Sequence, residues 1–440
     1  MNNVYIETFG CEMNKNDTNI IKSIMLKEGF NIVSQFENAN AILINTCSIR
    51  ENAEKNIQNR INYLYSVANS SKNDNNKVII GMLGCMAVQL GEKMFKSSKK
   101  IDLFVGPDGY SNLPSLVNEC LAGAKKLDID FKKKEHYDKI ETYIDKKEIY
   151  AAVTIIRGCN NFCSYCVVPN VRGREKCKDF NSILKEVDDI VKKGAKSITL
   201  LGQNVNSYQQ DDINFPKLLE EVAKRNQNVR ISFLTSHPKD FSLELVNVMK
   251  MYNNICNYIH LPVQSGSDRV LQDMNRKYTI NTYISLINSI RAELPDVSIT
   301  TDIIAGYPGE TLEDHQATLD LMSLVRFDSA FMFMYSARQG TPAFNRRDDV
   351  NNVEKKRRLN EIIALQSKIS AKNNQSEVGK IISVLIEGKS KKYANQLVGR
   401  SLNNKVVAFE YGGSSARVGD VVNVFVEIAT SKTLIGRQTN

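Results

Sequence analysis

The feature that most limits the possible folds is a strand–helix alternation that runs twice along the chain. Short β-type runs at Val4–Thr8, Ala41–Thr46, Lys77–Met82 and Ile101–Val105 are separated by helical stretches at Asn16–Gly29, Arg50–Val67, Ala87–Phe95 and Ser111–Ala124. Strands that alternate with helices pair in parallel. The rhythm breaks over residues 125–149, a charged and weakly patterned stretch that reads as a solvated linker with some extended structure. It resumes with strands at Ala151–Arg157, Ser197–Leu201, Val229–Phe233, Tyr258–Leu261, Ser298–Ile303 and Ala330–Tyr335. Helical stretches lie between them, among them Phe180–Lys193, Tyr283–Glu293 and Leu312–Leu324. Six β/α units predict a partial (β/α)6 barrel rather than the full eight, with the active loops at the C-terminal strand ends.

Residues 350–377 read as a basic, polar helix. After Gly379 the pattern changes to five short strands with Gly and Asn turns, which predicts a small β-barrel of the oligonucleotide-binding type. The expected class is therefore α/β. Residues 1–124 form an N-terminal parallel α/β domain, 125–149 a linker, 150–377 the partial barrel and 378–440 the small β-barrel. A chain of 440 residues suits two or three domains. Net charge is +9, and residues 379–440 hold nine Lys or Arg against four Asp or Glu. That local excess makes a nucleic-acid partner plausible. Tyr393, Phe409 and Tyr411 are candidates to stack on bases, with core packing the competing role for Phe409. No apolar run reaches the roughly 18 residues of a membrane helix. The start MNNVYIETFG has no basic segment followed by an apolar one, so a cytoplasmic location is expected.

Nine cysteines need an explanation, because structural disulfides are uncommon in that compartment. The densest group is RGCNNFCSYCVVPNVRGRE, residues 157–175, with the spacing C-x3-C-x2-C. Three thiolates so close suit three corners of a [4Fe–4S] cluster. A structural zinc would want a fourth ligand, and no His follows at a suitable spacing. Three cysteines leave one iron open to chelate a substrate's amino and carboxylate groups. Cys11, Cys47 and Cys85 each follow or end a strand of the first alternating region. Parallel strands bring such positions to one sheet edge. They form either a second cluster site or three independent buried cysteines. Cys120 and Cys256 read as core residues. Cys177 reads as incidental, since a fourth thiolate on the first cluster would close its open iron.

The C-x3-C-x2-C loop after a barrel strand resembles that of the radical S-adenosylmethionine superfamily. Ordered motifs extend the likeness over almost the whole chain. TFGCEMN at 8–14, INTCSIRENAE at 44–54, GMLGCMA at 81–87, LLGQNVNSY at 200–208, TSHP at 235–238, HLPVQSGSDRVLQDMNRKYT at 260–279, TDIIAGYPGET at 301–311 and FMYSARQGTPA at 333–343 resemble the radical S-adenosylmethionine methylthiotransferases. TFGCEMN and LLGQNVNSY are closest to the branch that acts on isopentenyladenosine in tRNA, and the C-terminal QLVGRSLNNKVVAFE is similar to the RNA-binding TRAM domain. Glu12 stands where Gln is usual in the family, and Asn170 where Tyr is frequent.

The resemblance implies replacement of the C2 hydrogen of N6-isopentenyladenosine, at tRNA position 37 beside the anticodon, by a methylthio group. It implies S-adenosylmethionine and two [4Fe–4S] clusters. Cys159, Cys163 and Cys166 would hold the radical cluster, and Cys11, Cys47 and Cys85 the auxiliary one. Tyr165 would contact the adenine of the cofactor, and Gln203, Ser236, Gln264 and Asp302 would face the cofactor from strand ends. The implied partners are the tRNA anticodon loop and an electron donor such as flavodoxin or ferredoxin. No membrane is involved, and a monomer is expected. Two alternatives stay open: the same chemistry on another modified adenosine or a protein side chain, and a non-enzymatic iron–sulfur RNA-binding protein.

Overall fold

The computed structural model describes residues 2–48, 51–70, 78–131, 137, 140, 142–143, 145, 148–391, 393, 395–410 and 416–439. The first unit is a six-stranded parallel sheet: β1 (Asn3–Phe9), β2 (Asn31–Ile32), β3 (Ala41–Thr46), β4 (Ile79–Gly84), β5 (Leu103–Val105) and β6 (Lys126–Asp128), in the order β2-β1-β3-β4-β5-β6. Helices α1 (Glu12–Lys27), α2 (Glu51–Ser70), α3 (Cys85–Ser97) and α4 (Leu113–Leu121) cover it on both sides. Period-two alternation along the strands decides which helix each residue meets. Leu43, Ile79 and Leu103 pack with Ile20, Ile24 and Val117 on one face; Ile42, Ile44 and Ile80 pack with Ile57, Ile61 and Met86 on the other.

The linker expectation is corrected in part. Lys126–Asp128 is an edge strand of the first sheet, beyond the expected boundary at residue 124. Tyr137 is buried, its hydroxyl donating to Pro107 O at 2.7 Å. The high charge of the stretch hid these anchors from a reading by apolar periodicity.

The second unit opens with β7 (Tyr150–Thr154), the short pair β8 (Ile156–Arg157) and β9 (Lys176–Cys177), and helices α5 (Val168–Arg172) and α6 (Phe180–Lys192). It continues through β10 (Ser197–Leu201), a small hairpin of β11 (Gln209–Gln210) and β12 (Ile213–Asn214), α7 (Phe215–Arg225), β13 (Arg230–Leu234), α8 (Leu243–Met251), β14 (Tyr258–His260), α9 (Asp268–Asp273), α10 (Ile280–Glu293), β15 (Ser298–Ala305), α11 (Leu312–Val325) and β16 (Ser329–Met334). Two parallel three-stranded sheets, β7-β10-β13 and β14-β15-β16, make the expected partial barrel. Val153, Ile198, Leu200, Ile231, Phe233, Ile259 and Ile299 face the helices in one continuous core. The alternate residues, among them Ala152, Thr199, Ser232, His260 and Asp302, face the lumen. Edge strands β7 and β16 leave the barrel open between them.

Helix α12 (Asn352–Gln375) leads to a closed barrel of β17 (Ile381–Lys389), β18 (Gln396–Ser401), β19 (Val406–Glu410), β20 (Val421–Ala429) and β21 (Leu434–Thr439), in the order β17-β18-β19-β21-β20. Val384, Ile386, Val407, Phe409, Val424 and Val426 fill it. Phe409 is fully buried, so it is core and not a stacking residue, whereas Tyr393 is 49% exposed. Tyr411 lies outside the described residues. This barrel docks at the N-terminal ends of the lumen strands. Arg230, the first residue of β13, donates to Arg400 O at 2.5 Å and to Ser383 O at 3.3 Å, and the Tyr150 hydroxyl meets Glu387. No helix among the described residues is long and apolar enough to cross a membrane.

Candidate iron–sulfur and cofactor site

The N-terminal cysteines are brought together by the parallel sheet. Cys11 is the N-cap of α1, Cys47 follows β3 and Cys85 is the first residue of α3. Helix α1 starts at Glu12 rather than Asn16, and α3 at Cys85 rather than Ala87, so two of the three thiols stand at helix N-termini. The aligned peptide dipoles there favour a thiolate. A buried amide network fixes the turns: Asn14 Nδ2 donates to Thr46 O at 3.0 Å, and Asn45 Nδ2 to Asn14 O at 2.8 Å. Gly84 has φ +85°, and a Cβ there would lie 2.5 Å from Asn45 Oδ1 and 2.6 Å from Thr46 O. Only glycine lets the chain pass between β4 and Cys85.

The Cys11 thiol bonds to Cys47 and Asn14 Oδ1 (3.3 Å to the latter). The Cys47 contact is the main reason its pKa falls to about 6; burial opposes the shift, and the Arg172 charge and the first backbone amides of α1 support it. Burial pushes the Cys85 thiol up, against the pull of Arg172. Arg172 Nε donates to Cys85 Sγ at 3.2 Å.

The central loop is equally fixed. Gly158 has φ +77°, and a Cβ there would sit 2.1 Å from Arg174 O. Ser164 donates to Asp273 O at 2.8 Å through its hydroxyl and to Met274 O at 3.0 Å through its backbone. Arg276 Nη1 donates to Cys163 Sγ at 3.5 Å. Burial pushes Cys159 up to about 11 and, with the neighbouring Cys163, Cys166 up to about 12. These thiols hold their protons until a metal displaces them, so loading releases protons. Among the described residues no three Cys, His, Asp or Glu side chains converge as the shell of one metal ion requires. A cubane instead takes each thiolate on a separate iron. One cysteine of the first trio reaches the segment after the second: Cys85 packs against Val167 and Val171, and Val167 directly follows Cys166.

Buried polar atoms without partners test whether a cofactor fits. Ser236 is 3% exposed and its hydroxyl bonds nothing; Gln203 Oε1 and His237 Nε2 are likewise buried and unpaired. All three lie just beyond the ends of β10 and β13, on the side of the cysteine loop. Buried groups of this kind normally find a partner, so a polar ligand at this strand end suits them. His237 Nδ1 accepts from Lys239 N at 3.2 Å, while burial and the charges of Arg276, Lys239 and Lys277 hold the ring neutral, its pKa down at about 2. Its unpaired Nε2 is thus an N–H donor. Gln264 adopts φ +74° and its backbone N–H donates to Asp302 O at 2.8 Å. The strand-end placement of Asp302 is corrected: it lies inside β15, which runs on to Ala305, and its carboxylate stands 3.4 Å from His260 Nε2 on the lumen wall. Tyr165 packs beside Met274 and Tyr307.

Sequence reasoning passed over Asp17, Arg157, Arg172, Arg276 and His237. Asp17 carried a signal. It lies three residues before Ile20 and seven before Ile24, on the inward face of α1, where a carboxylate demands a partner. Cys120 is core, donating to Asp102 O at 3.5 Å, and Cys256 is buried. Cys177 sits in β9 against the barrel core.

Residues 3–106 match the uncharacterized protein family UPF0004, residues 153–322 the radical SAM superfamily, and residues 375–438 the TRAM domain. A Bacteroides thetaiotaomicron protein named tRNA-2-methylthio-N(6)-dimethylallyladenosine synthase is 47% identical over 99% of this chain and 96% of its own length. The chain belongs to that synthase family. A Chloroherpeton thalassium synthase of the same name is 46% identical over 98% of this chain and 95% of its own length. Membership in the radical SAM superfamily brings S-adenosylmethionine and a [4Fe–4S] cluster. Among solved structures, the radical S-adenosylmethionine methyltransferase TsrM from Kitasatospora setae shares the fold with a TM-score of 0.59 at 12% identity, over 78% of this chain and 75% of its own. The synthase family thus joins, in one chain, the parallel sheet, the open barrel and the small β-barrel described above.

Proposed function

We propose that the chain is a tRNA methylthiotransferase that replaces the C2 hydrogen of N6-isopentenyladenosine, at position 37, with a methylthio group. In this reading Cys159, Cys163 and Cys166 hold the radical cluster and Cys11, Cys47 and Cys85 a second one. Residues 1–124, with the added edge strand, form the auxiliary-cluster domain, 150–377 the radical core and 378–440 the RNA-binding domain. The observation that supports the reading most directly is the packing of Cys85, of the first trio, against Val167 and Val171, in the segment that follows the second trio. When bound, S-adenosylmethionine and its cluster supply homolytic removal of the adenine C2 hydrogen, and the second cluster supplies the sulfur that takes its place.

The chain's own residues do the rest. Ser236, Gln203 and His237 Nε2 orient the cofactor's polar groups at the strand ends. A cavity of about 760 Å3 runs along the lumen between α1, the β7-β10-β13 sheet and the small barrel, and Lys15, Lys22, Arg230 and Arg400 line it. Glu12, Glu148 and Glu387 line it too, Glu12 paired with Lys15 and Glu387 with Arg400, so Lys22 and Arg230 are the cations there best placed to meet a phosphate. Phe331 and Phe333, 55% and 42% exposed, stand on the lumen side of edge strand β16, opposite the buried Ala330. They give the flipped purine, with its apolar N6 chain, a stacking wall beside the barrel's open side. An electron donor such as flavodoxin or ferredoxin serves a monomeric enzyme. The test is deletion of the gene followed by nucleoside mass spectrometry of total tRNA. Loss of 2-methylthio-isopentenyladenosine with accumulation of its unthiolated precursor supports the reading; unchanged levels sink it.

A further inference from the structure

We propose that Arg172 is a positioning residue that makes the second cluster site electrostatically dependent on the radical domain, raising the reduction potential of whatever cluster Cys85 helps to hold. The inference rests on the reading of Cys11, Cys47 and Cys85 as cluster ligands. Arg172 ends α5, six residues after Cys166, and is 4% exposed. Its Nε donates to Cys85 Sγ at 3.2 Å, and its Nη2 to Asp17 Oδ2 at 2.7 Å. The other oxygen of Asp17 accepts from Arg157 Nη2 at 2.7 Å. Asp17 is fully buried, and Arg157 is 4% exposed with its guanidinium 4.7 Å above the Tyr137 ring.

Two guanidinium groups and one carboxylate leave one net positive charge in this buried cluster. It lies at the edge of the second cysteine trio, where the dielectric is low and Coulomb interactions are strong. Both arginines come from the radical domain and the carboxylate from α1 of the first unit. Among the described residues the Nη1 atoms of both arginines have no hydrogen-bond partner, and Asp17 is the carboxylate that both guanidinium groups share. A charged N–H···S bond and a nearby positive charge both favour the reduced form of an iron–sulfur cluster. Arg276 offers a contrast. It reaches Cys163 at 3.5 Å but is held by the neutral oxygens of Tyr278 and Pro262 within its own domain. Among the described residues, only Arg172 donates from one domain to a candidate ligand cysteine of the other.

The test uses the full chain with Cys159, Cys163 and Cys166 replaced by Ala, reconstituted anaerobically, so that only the second site can load. Reduction is followed by electron paramagnetic resonance in a redox titration. Arg172→Gln should move the midpoint to more negative potential, because a positive charge and a donor are lost. Asp17→Asn should move it to more positive potential, because a negative charge is lost while Arg172 stays. Arg172→Lys, which keeps charge, should fall between Arg172→Gln and the parent. A merely structural clasp would shift Arg172→Gln and Asp17→Asn in the same direction. Shifts of the same sign, or no shift in protein that retains iron, overturn the proposal. If Arg172→Gln fails to load, the sign of the Asp17→Asn shift decides alone. Failure of the parent triple variant to bind any iron would instead reject the cluster assignment itself.

Discussion

At the residue scale, Asp17 ties the first unit to the radical domain through two buried ion pairs, with Arg157 and Arg172. Burial pushes its carboxyl up, but the charges of Arg172 and Arg157 outweigh that and hold it below the ordinary carboxylate range. A depressed folded-state value means that the stabilisation is complete above the unfolded value of about 3.9 and is lost as pH falls through the lower folded value. Asp17→Asn leaves two buried guanidinium groups without their counter-charge, and breaking such a pair costs about 3–5 kcal/mol. Denaturant titration of apo-protein at neutral pH should show that loss, and the difference from the parent should shrink below about pH 4. Cys11→Ala addresses the second site directly: iron per reconstituted chain should fall by about half, and unchanged iron would remove Cys11 from the ligands. The cysteines were legible because spacing and strand ends expose them. Asp17 could be flagged by its place on the inward face of α1, but its partners Arg157 and Arg172 could not, since residues 140 and 155 positions apart meet only when two domains dock.

At the element scale, strand and helix order was largely readable from periodicity, as in Ser197–Leu201 and Ala41–Thr46, whose bounds the structure repeats. Boundaries shifted where a special residue governs the end. Cys11 caps α1, and Gly84 turns the chain directly into α3. Short elements such as α5 and β6 were missed because five and three residues carry too little period. Strand β16 was expected, but not which face its aromatics take. With Ala330 set in the core, Phe331 and Phe333 must turn to the lumen. Replacing both by Ala should weaken binding of an isopentenylated anticodon stem-loop roughly tenfold to a hundredfold, since base–aromatic stacking contributes about 1–3 kcal/mol per base. Fluorescence anisotropy checks this, with far-UV circular dichroism to confirm an intact fold; unchanged affinity would free these rings of a substrate role.

At the scale of the whole molecule, the small barrel closes the lumen at the strand N-termini while the cysteine loop lies at the other end. Nothing in the sequence told where the barrel docks, because Arg230 and Tyr150 look like ordinary first residues of strands. Once docked, Arg230 and Arg400 join Lys15 and Lys22 along one cavity. The nine Lys or Arg against four Asp or Glu of residues 379–440 should make RNA affinity fall with salt, and replacing the exposed Lys391 or Lys432 by Ala should each lower the log–log slope by about one. In the proposed function both trios, the cavity and the aromatic wall serve a single transfer. The most direct measurement incubates the reconstituted enzyme with S-adenosylmethionine, a reductant and an isopentenylated anticodon stem-loop, then weighs the RNA by mass spectrometry. A mass gain equal to a methylthio group less one hydrogen, confined to the isopentenyladenosine and abolished by Cys11→Ala, is the predicted result. Formation of 5′-deoxyadenosine with RNA of unchanged mass would contradict it.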